Sequence, residues 1–212
     1  MRIIIVHRDK QASEVFAWTF KDLPGIEIHL GSFEEMPAFD CIATAGNSFG
    51  LMDAGIDLAL VRFFGRPLME KIQARILDDF CGEQPVGTSF ILETGMAEHP
   101  FVAHTPTMRA PMNISGTDNV YLATWATLLA VRAHNRGEEV RTIDTLVMPG
   151  FGTGSGGVDL IEAATQMHLA CQHFLNPPER ITPELAQRRY EAVHYGGKYG
   201  FDHPRSRNRE NQ

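Results

Sequence analysis

The sequence predicts an α/β protein whose sheet is covered on both faces by helices. Two observations predict it. Short apolar runs alternate with longer amphipathic stretches along the chain, and two glycine-rich loops each follow such a run and precede a helix. A chain of 212 residues that is 43% hydrophobic can build one substantial core, and its length suggests a single domain with decorations.

The elements follow from local pattern. "IIIV" (3 to 6) reads as a short buried strand, and "QASEVFAWTFKDL" (11 to 23) as a helix closed by Pro24-Gly25. "IEIHL" (26 to 30) alternates like a strand, and "FDCIATA" (39 to 45) is the next one. Residues 56 to 64 look helical until Gly65 and Pro67, where Pro67 is suited to begin a second helix. In that helix Leu68, Ile72, Ile76 and Phe80 recur every four residues, a core-facing stripe. "VGTSFILET" (86 to 94) and "FVAHTP" (101 to 106) read as strands. "VYLATWATLLAVRAH" (120 to 134) is apolar almost all round, hence a well-buried helix. "TIDTLVMP" (142 to 149) is a last buried strand, followed by a helix whose stripe is Leu160, Ile161, Ala164, Met167, Cys171, Phe174 and Leu175. After Pro177-Pro178 the chain turns polar, with one more helix at 183 to 192.

The formal net charge of −7 argues against a surface that coats nucleic acid in general, yet leaves room for a small anion held by backbone amides. Cys41, Cys81 and Cys171 are too few and too scattered for a disulfide framework or structural zinc, which fits a reducing cytoplasm. The N-terminal apolar run is far too short for a secretory signal, and no run reaches transmembrane length. A soluble, cytoplasmic protein with no membrane partner is expected.

The chemistry concentrates in the two loops. Residues 46 to 57 hold Gly46, Asn47, Ser48, Asp53, Ala54, Gly55, Ile56 and Asp57; the second loop is "GFGTGSGG" (150 to 157). Glycine lets a ligand approach the backbone closely, and a following helix supplies unpaired N–H groups and a positive dipole end. Together the loops form two halves of an anion cradle at the carboxyl ends of strands, where open α/β sheets bind ligands. The plain alternative is a pair of tight turns. "GTGSGG" also satisfies G-x-G-x-x-G, but it comes late and no second βαβ strand ending in an acid follows it; no Walker A lysine occurs either.

"DCIATAGNSFGLMDAGIDLALVRFFG" resembles the signature of the macro domain family, in which D-A-I-V-N-A-A-N leads through a glycine run to V-D-G-A-I-H-x-A-A-G. Asp40, Ile42, Ala45, Asn47, Gly55, Asp57, Ala59 and Gly65 fall on matching positions without a gap. "PGFGTGSGG" resembles the family's P-A-I-S-T-G-x-x-G at Pro149, Thr153, Gly154 and Gly157, and "VAHTP" its V-I-H-T-V strand. The likeness covers about residues 31 to 175. It implies a three-layer α-β-α fold with a mixed central sheet, placing a macro-like domain at 1–178 and a C-terminal extension, a helix plus polar tail, at 179–212.

The resemblance implies binding of ADP-ribose or a related nucleotide diphosphate-ribose. It further implies hydrolysis of an ADP-ribosyl or ADP-ribose 1″-phosphate bond, glycohydrolase or esterase in type, without cofactor or metal. The backbone of Ser48 to Gly55 and of Gly152 to Gly157, including Thr153, Gly154, Ser155 and Gly156, would hold the diphosphate. Asn47 would fix the distal ribose, and Asp57, ten residues on, would orient or activate a water. A helix-dipole role alone, worth about 0.3–1 kcal/mol, would also account for an acid at 57. Departures stand beside the matches. Thr44 replaces an asparagine, and Ser32 stands where the family has an aspartate for the adenine amino group. Asp53 lies in the glycine run, and Gly156 replaces an aromatic that Phe151 or Phe49 would have to substitute. Two alternatives follow: a non-catalytic reader of ADP-ribose or of an ADP-ribosylated macromolecule, and a structural protein that has lost the ligand.

Other candidates read as structural. On a helix His168 and Cys171 share a face, but His173 lies about 140° from His168, so no zinc set forms locally. Cys41 and His104 read as buried packing. In the tail, Arg205, Arg207 and Arg209 read as a solvated terminus or as a contact with nucleic acid or a partner. Tyr195, Tyr199 and Phe201 either fold back or form a subunit interface in an oligomer.

Overall fold

The computed structural model describes residues 1–137 and 141–193. In order, the elements are β1 (Arg2–His7), α1 (Lys10–Phe20), β2 (Ile26–Leu30), a 3-10 turn (Phe33–Glu35), β3 (Cys41–Ala43), β4 (Gly46–Asn47), α2 (Gly55–Phe64) and α3 (Pro67–Phe80). Then come β5 (Phe90–Glu93), β6 (Phe101–His104), β7 (Pro106–Met108), α4 (Asn119–His134), β8 (Thr145–Pro149), α5 (Leu160–Leu175) and α6 (Pro183–Ala192).

Six strands form one sheet in the order β2-β1-β8-β3-β6-β5, and β4 pairs with β7 in a separate two-stranded ribbon. All pairs in the large sheet are parallel except β5 with β6, so the sheet is mixed. Side chains alternate across the central strands and divide the core in two. Ile3, Ile5, Cys41, Leu146 and Met148 face one layer, which contains Phe16 and Phe20 of α1, Leu128 of α4 and Met167 of α5. Ile4, Val6, Ile42 and Val147 face the other, with Leu60 of α2 and Leu68, Ile72 and Ile76 of α3. The predicted three-layer arrangement is the observed one.

Two local differences have physical reasons. The expected strand at 39 to 45 is ordered in the sheet only over Cys41–Ala43, because the chain then leaves the sheet to pair as β4. The stripe of α5 is turned: Ala163, Ala164, Gln166, Met167, Ala170 and Cys171 are buried, while Ile161 faces outward beside Trp18. Gln166 occupies an inner position because its amide is satisfied, accepting from Tyr121 N at 3.0 Å and donating to Thr117 O at 2.7 Å. The predicted helix at 183 to 192 is α6, and Arg189 lies over the Trp125 ring of α4. The tail residues Tyr195, Tyr199, Phe201, Arg205, Arg207 and Arg209 lie outside the described residues.

Candidate functional site

Because β1, β8 and β3 run parallel and adjacent, their carboxyl ends meet at one edge of the sheet. There the chain leaves a cleft of about 480 Å³, a size suited to a nucleotide-scale ligand. It brings together Ser32, Ala54, Gly55, Ile56, Asp57, Gly152, Thr153, Gly154, Ser155 and Gly156, predicted from sequence. Gly46, Asn47, Ser48, Asp53, Phe151 and Gly157 are not among the residues that line it.

Asp57, in the first turn of α2, is the carboxylate of the cleft. One oxygen, Oδ1, accepts from Ala45 N at 3.1 Å; Oδ2 makes no hydrogen bond among the described residues. The residue is 5% exposed. Burial pushes the carboxyl up to about 7, with a smaller push from Asp53, against the pull of the Ala45 amide. At neutral pH it therefore sits between its proton-accepting and proton-donating forms. No side chain caps the start of α2, so the first-turn amides at Gly55 and Ile56 face the cleft without a side-chain competitor.

Asn47 serves its own loop. Its Oδ1 accepts from Phe49 N at 3.1 Å and Leu51 N at 3.3 Å, and its Nδ2 donates to Leu51 O at 2.9 Å. Ser48, also buried, donates its N–H to the carbonyls of Met108 and Arg109 and ties the loop to β7. Asp53 is exposed and does not line the cleft, though its charge reaches Asp57. Beneath the loop, a Cβ built on Gly46 would lie 2.8 Å from His104 Nε2 and 3.3 Å from both Asp57 Oδ2 and Thr44 Oγ1. Only glycine fits between these side chains. His104 is fully buried and donates Nδ1–H to Gln84 Oε1 at 2.6 Å; burial holds its imidazole down at about 3, hence neutral.

The second loop differs from expectation in one respect. The helix after it, α5, does not offer a free N-terminus: the Asp159 carboxylate accepts from Ile161 N at 2.9 Å and Glu162 N at 3.3 Å. The donors of this loop are therefore its own backbone amides. A Cβ on Gly156 would come within 2.7 Å of Gly152 O, so this turn has no room for the aromatic expected there. Neither proposed substitute takes its place. Phe151 is fully buried in the core, and Phe49 does not line the cleft.

Sequence reading missed His7 and Arg8 at the carboxyl end of β1, and Thr107 and Met108 of β7. His7 Nδ1 accepts from Asp9 N at 3.0 Å, which leaves its Nε2–H to face Thr153 Oγ1 at 3.3 Å; Thr153 in turn donates to Gly150 O at 2.8 Å. Burial lowers the His7 pKa, against the pull of Asp9. Arg8 is the one arginine or lysine among the described lining residues. The signal for both was available, since ligands gather at the carboxyl ends of parallel strands and "IIIV" ends one residue before His7.

The other flagged side chains have other occupations. His168 packs edge-on against Phe20, Cys171 is buried with its thiol pushed up to about 12, and His173 Nδ1 meets the Tyr121 hydroxyl at 3.0 Å. Burial raises the Cys41 thiol still further. No helix among the described residues is long and apolar enough to cross a membrane.

The chain is similar to known proteins. A family model described as Macro domain matches residues 43–167. An uncharacterized protein of Aquifex aeolicus is 31% identical over 142 residues, covering 67% of this chain and 78% of the relative; one of Aeropyrum pernix is 28% identical over 154 residues, covering 72% and 73%. Among solved structures, the macrodomain of Mycobacterium tuberculosis DarG superposes with a TM-score of 0.55 at 20% identity, covering 69% of this chain and 89% of that one. A point mutant of the Oceanobacillus iheyensis macrodomain with ADPR gives 0.57 at 18%, covering 82% and 78%.

Proposed function

Because the chain belongs to the macro domain family, we propose that its cleft binds ADP-ribose or a related nucleotide diphosphate-ribose and hydrolyses an ADP-ribosyl or ADP-ribose 1″-phosphate bond. One observation carries the reading: a buried carboxylate with one oxygen fixed and one free, at the end of a cleft walled by two backbone-lined glycine loops. The structural neighbour bound to ADPR supports the ligand class. The diphosphate lies against the amides of Gly55, Ile56, Gly152, Gly154, Ser155 and Gly156, where N–H groups replace basic side chains. The distal ribose then falls at the Asp57 end.

The free Oδ2 of ionised Asp57 takes a proton from a water. The water oxygen bonds to the anomeric carbon, and the bond from that carbon to the acceptor breaks; the acceptor leaves with the electron pair and takes up a proton, and Asp57 gives its own proton up and returns to the ionised form. A positioned general base contributes about 10²–10⁴-fold. Asp57 must be ionised, so turnover rises with pH through about 7. Asn47 acts at one remove, by holding the loop from which α2 and Asp57 start.

A second reading, a non-catalytic reader of ADP-ribose or of an ADP-ribosylated partner, is favoured by the occupation of the Asn47 amide within its loop. The test is a calorimetric titration with ADP-ribose and, in parallel, ADP. It is paired with hydrolysis assays of the wild type and Asp57→Ala. Tighter binding of ADP-ribose than ADP supports a ribose subsite; equal binding reduces the cleft to a diphosphate cradle, and no binding removes the ligand reading. Loss of wild-type turnover in Asp57→Ala with affinity within a few-fold excludes the reader. A wild type that binds but never turns over establishes it.

A further inference from the structure

Beneath Asp57 a buried polar atom goes without a hydrogen bond: His104 Nε2 has no partner among the described residues. Buried polar atoms are nearly always paired, so an orphan calls for a reason. The other ring nitrogen fixes the state of this one. Nδ1–H donates to Gln84 Oε1 at 2.6 Å, and the Gln84 amide is oriented by its own Nε2, which donates to His104 O at 3.5 Å. The imidazole is neutral, so a proton on Nδ1 leaves a bare lone pair on Nε2. Both partners are held in place: Gln84 N donates to Ser48 O at 2.9 Å, and the Phe90 ring lies 5.3 Å from that of His104.

The orphan nitrogen and the free oxygen of Asp57 flank one point. The Cβ position that Gly46 leaves empty lies 2.8 Å from His104 Nε2 and 3.3 Å from Asp57 Oδ2, so the two atoms are no more than about 6 Å apart. Thr44 Oγ1 is also 3.3 Å from that point, but it is engaged by Thr105 N at 3.0 Å. Inside a buried floor the field of an electron-rich nitrogen is weakly screened, and it disfavours an anion at this range. The other groups that act on Asp57 are the Ala45 amide, which pulls its carboxyl down, and the charge of Asp53, which pushes it up. His104 itself is lowered by burial alone.

We propose that His104, locked in one tautomer by Gln84, is a positioning residue of this site: it turns a lone pair toward Asp57, disfavours the carboxylate and so sets the pH at which the general base switches on. The role rests on the reading of Asp57 as that base, whereas the electrostatic pairing of the two side chains does not. A carboxylate held near neutrality takes a proton from water more strongly than an ordinary one. Gly46 keeps the pair close, since any side chain there would wedge the two apart.

The experiment is an NMR titration of the full chain without ligand, following the carboxyl carbon of Asp57 and the ring nitrogens of His104 in wild type and Gln84→Met. The expected wild type has its proton on Nδ1, a bare Nε2, and a ring signal that inflects at the Asp57 midpoint. Gln84→Met removes the acceptor for Nδ1–H at similar volume. The proton then moves to Nε2, where it faces the carboxylate, and the Asp57 midpoint falls by about one unit. The acid limb of turnover moves down with it. A wild-type Nε2 that carries the proton overturns the proposal, as does a ring signal that ignores the Asp57 titration; both are read without any variant. An unchanged midpoint in Gln84→Met overturns it too. So does a fall without the tautomer change, because water entering a loosened floor would then be the cause. If the titrations behave as expected but the wild type never turns over, the pairing stands and the reading of Asp57 as a base is overturned.

Discussion

The first glycine loop is held by side chains, whereas the second is held by the absence of them. In the first, the Asn47 amide makes three hydrogen bonds to the backbone of residues 49 to 51, Ser48 is locked to β7, and Asp57 is buried beneath. In the second, Gly156 touches the Gly152 backbone so closely that a methyl group does not fit, and side-chain support reduces to Thr153 and its contact with His7. Both wall the same cleft. One is vulnerable to deletion and the other to addition, and the one built over a buried carboxylate also carries the pH dependence.

The largest expected effect exploits that last difference. The folded-state pKa of Asp57 is raised to about 7 by burial, so between about pH 4 and pH 7 the folded protein binds a proton that the unfolded chain has released. Stability is then lost as pH rises through this window and becomes level above it. Asp57→Asn removes this component, on the order of a few kcal/mol across the window. Melting curves of the two proteins from pH 4 to 8 should diverge as the pH falls below 7, with the wild type gaining on the variant. Parallel curves would show that Asp57 titrates normally.

Next in size are the two loop-breaking substitutions. Asn47→Ala frees two backbone N–H groups and one carbonyl at the exposed residues Phe49 and Leu51, where water takes them over, a destabilisation of about 0.5–1.5 kcal/mol by denaturant titration. Gly156→Ala forces the second loop to shift, at about 1–3 kcal/mol. Its distinguishing outcome is an ADP-ribose affinity that falls by more than the stability does, since the displaced amides are the ligand's own partners. If Asn47→Ala is neutral, the claim that side chains hold the first loop fails. The smallest effect is at Asp159→Ala, which uncaps α5 at about 1 kcal/mol. Ligand affinity should not move, because that helix end faces its cap rather than the cleft.

These regions also differ in how far they could be read in advance. The layered fold, α3 with its Leu68, Ile72 and Ile76 stripe, and the strand–loop–helix setting of both loops follow from periodicity alone. Asp57 was legible because it lies in the loop's own segment. The capped start of α5 was legible too, since "DLIE" places an aspartate three residues before a glutamate, yet a glycine-rich loop drew attention to the dipole instead. His7 and Arg8 were harder: they meet Thr153 and Ser32 across 146 and 24 residues, a juxtaposition set by strand order rather than local pattern. The local employment of Asn47 could not be read at all, because a side chain that binds a ribose and one that binds its own loop have the same sequence.

The strand order also constrains how this chain comes to be folded. β8 is the last strand to leave the ribosome among those described, yet it lies between β1 and β3. Until residues 145 to 149 emerge, the nascent sheet exists as two separate pieces, β2-β1 and β3-β6-β5, each with an unpaired inner edge. Insertion of β8 joins them and brings the second loop over the first in the same event. Such late, non-local closure makes for slow folding. A chain stalled before Thr145 would have Asp57 but no cleft around it, and two sticky edges where the finished protein has none.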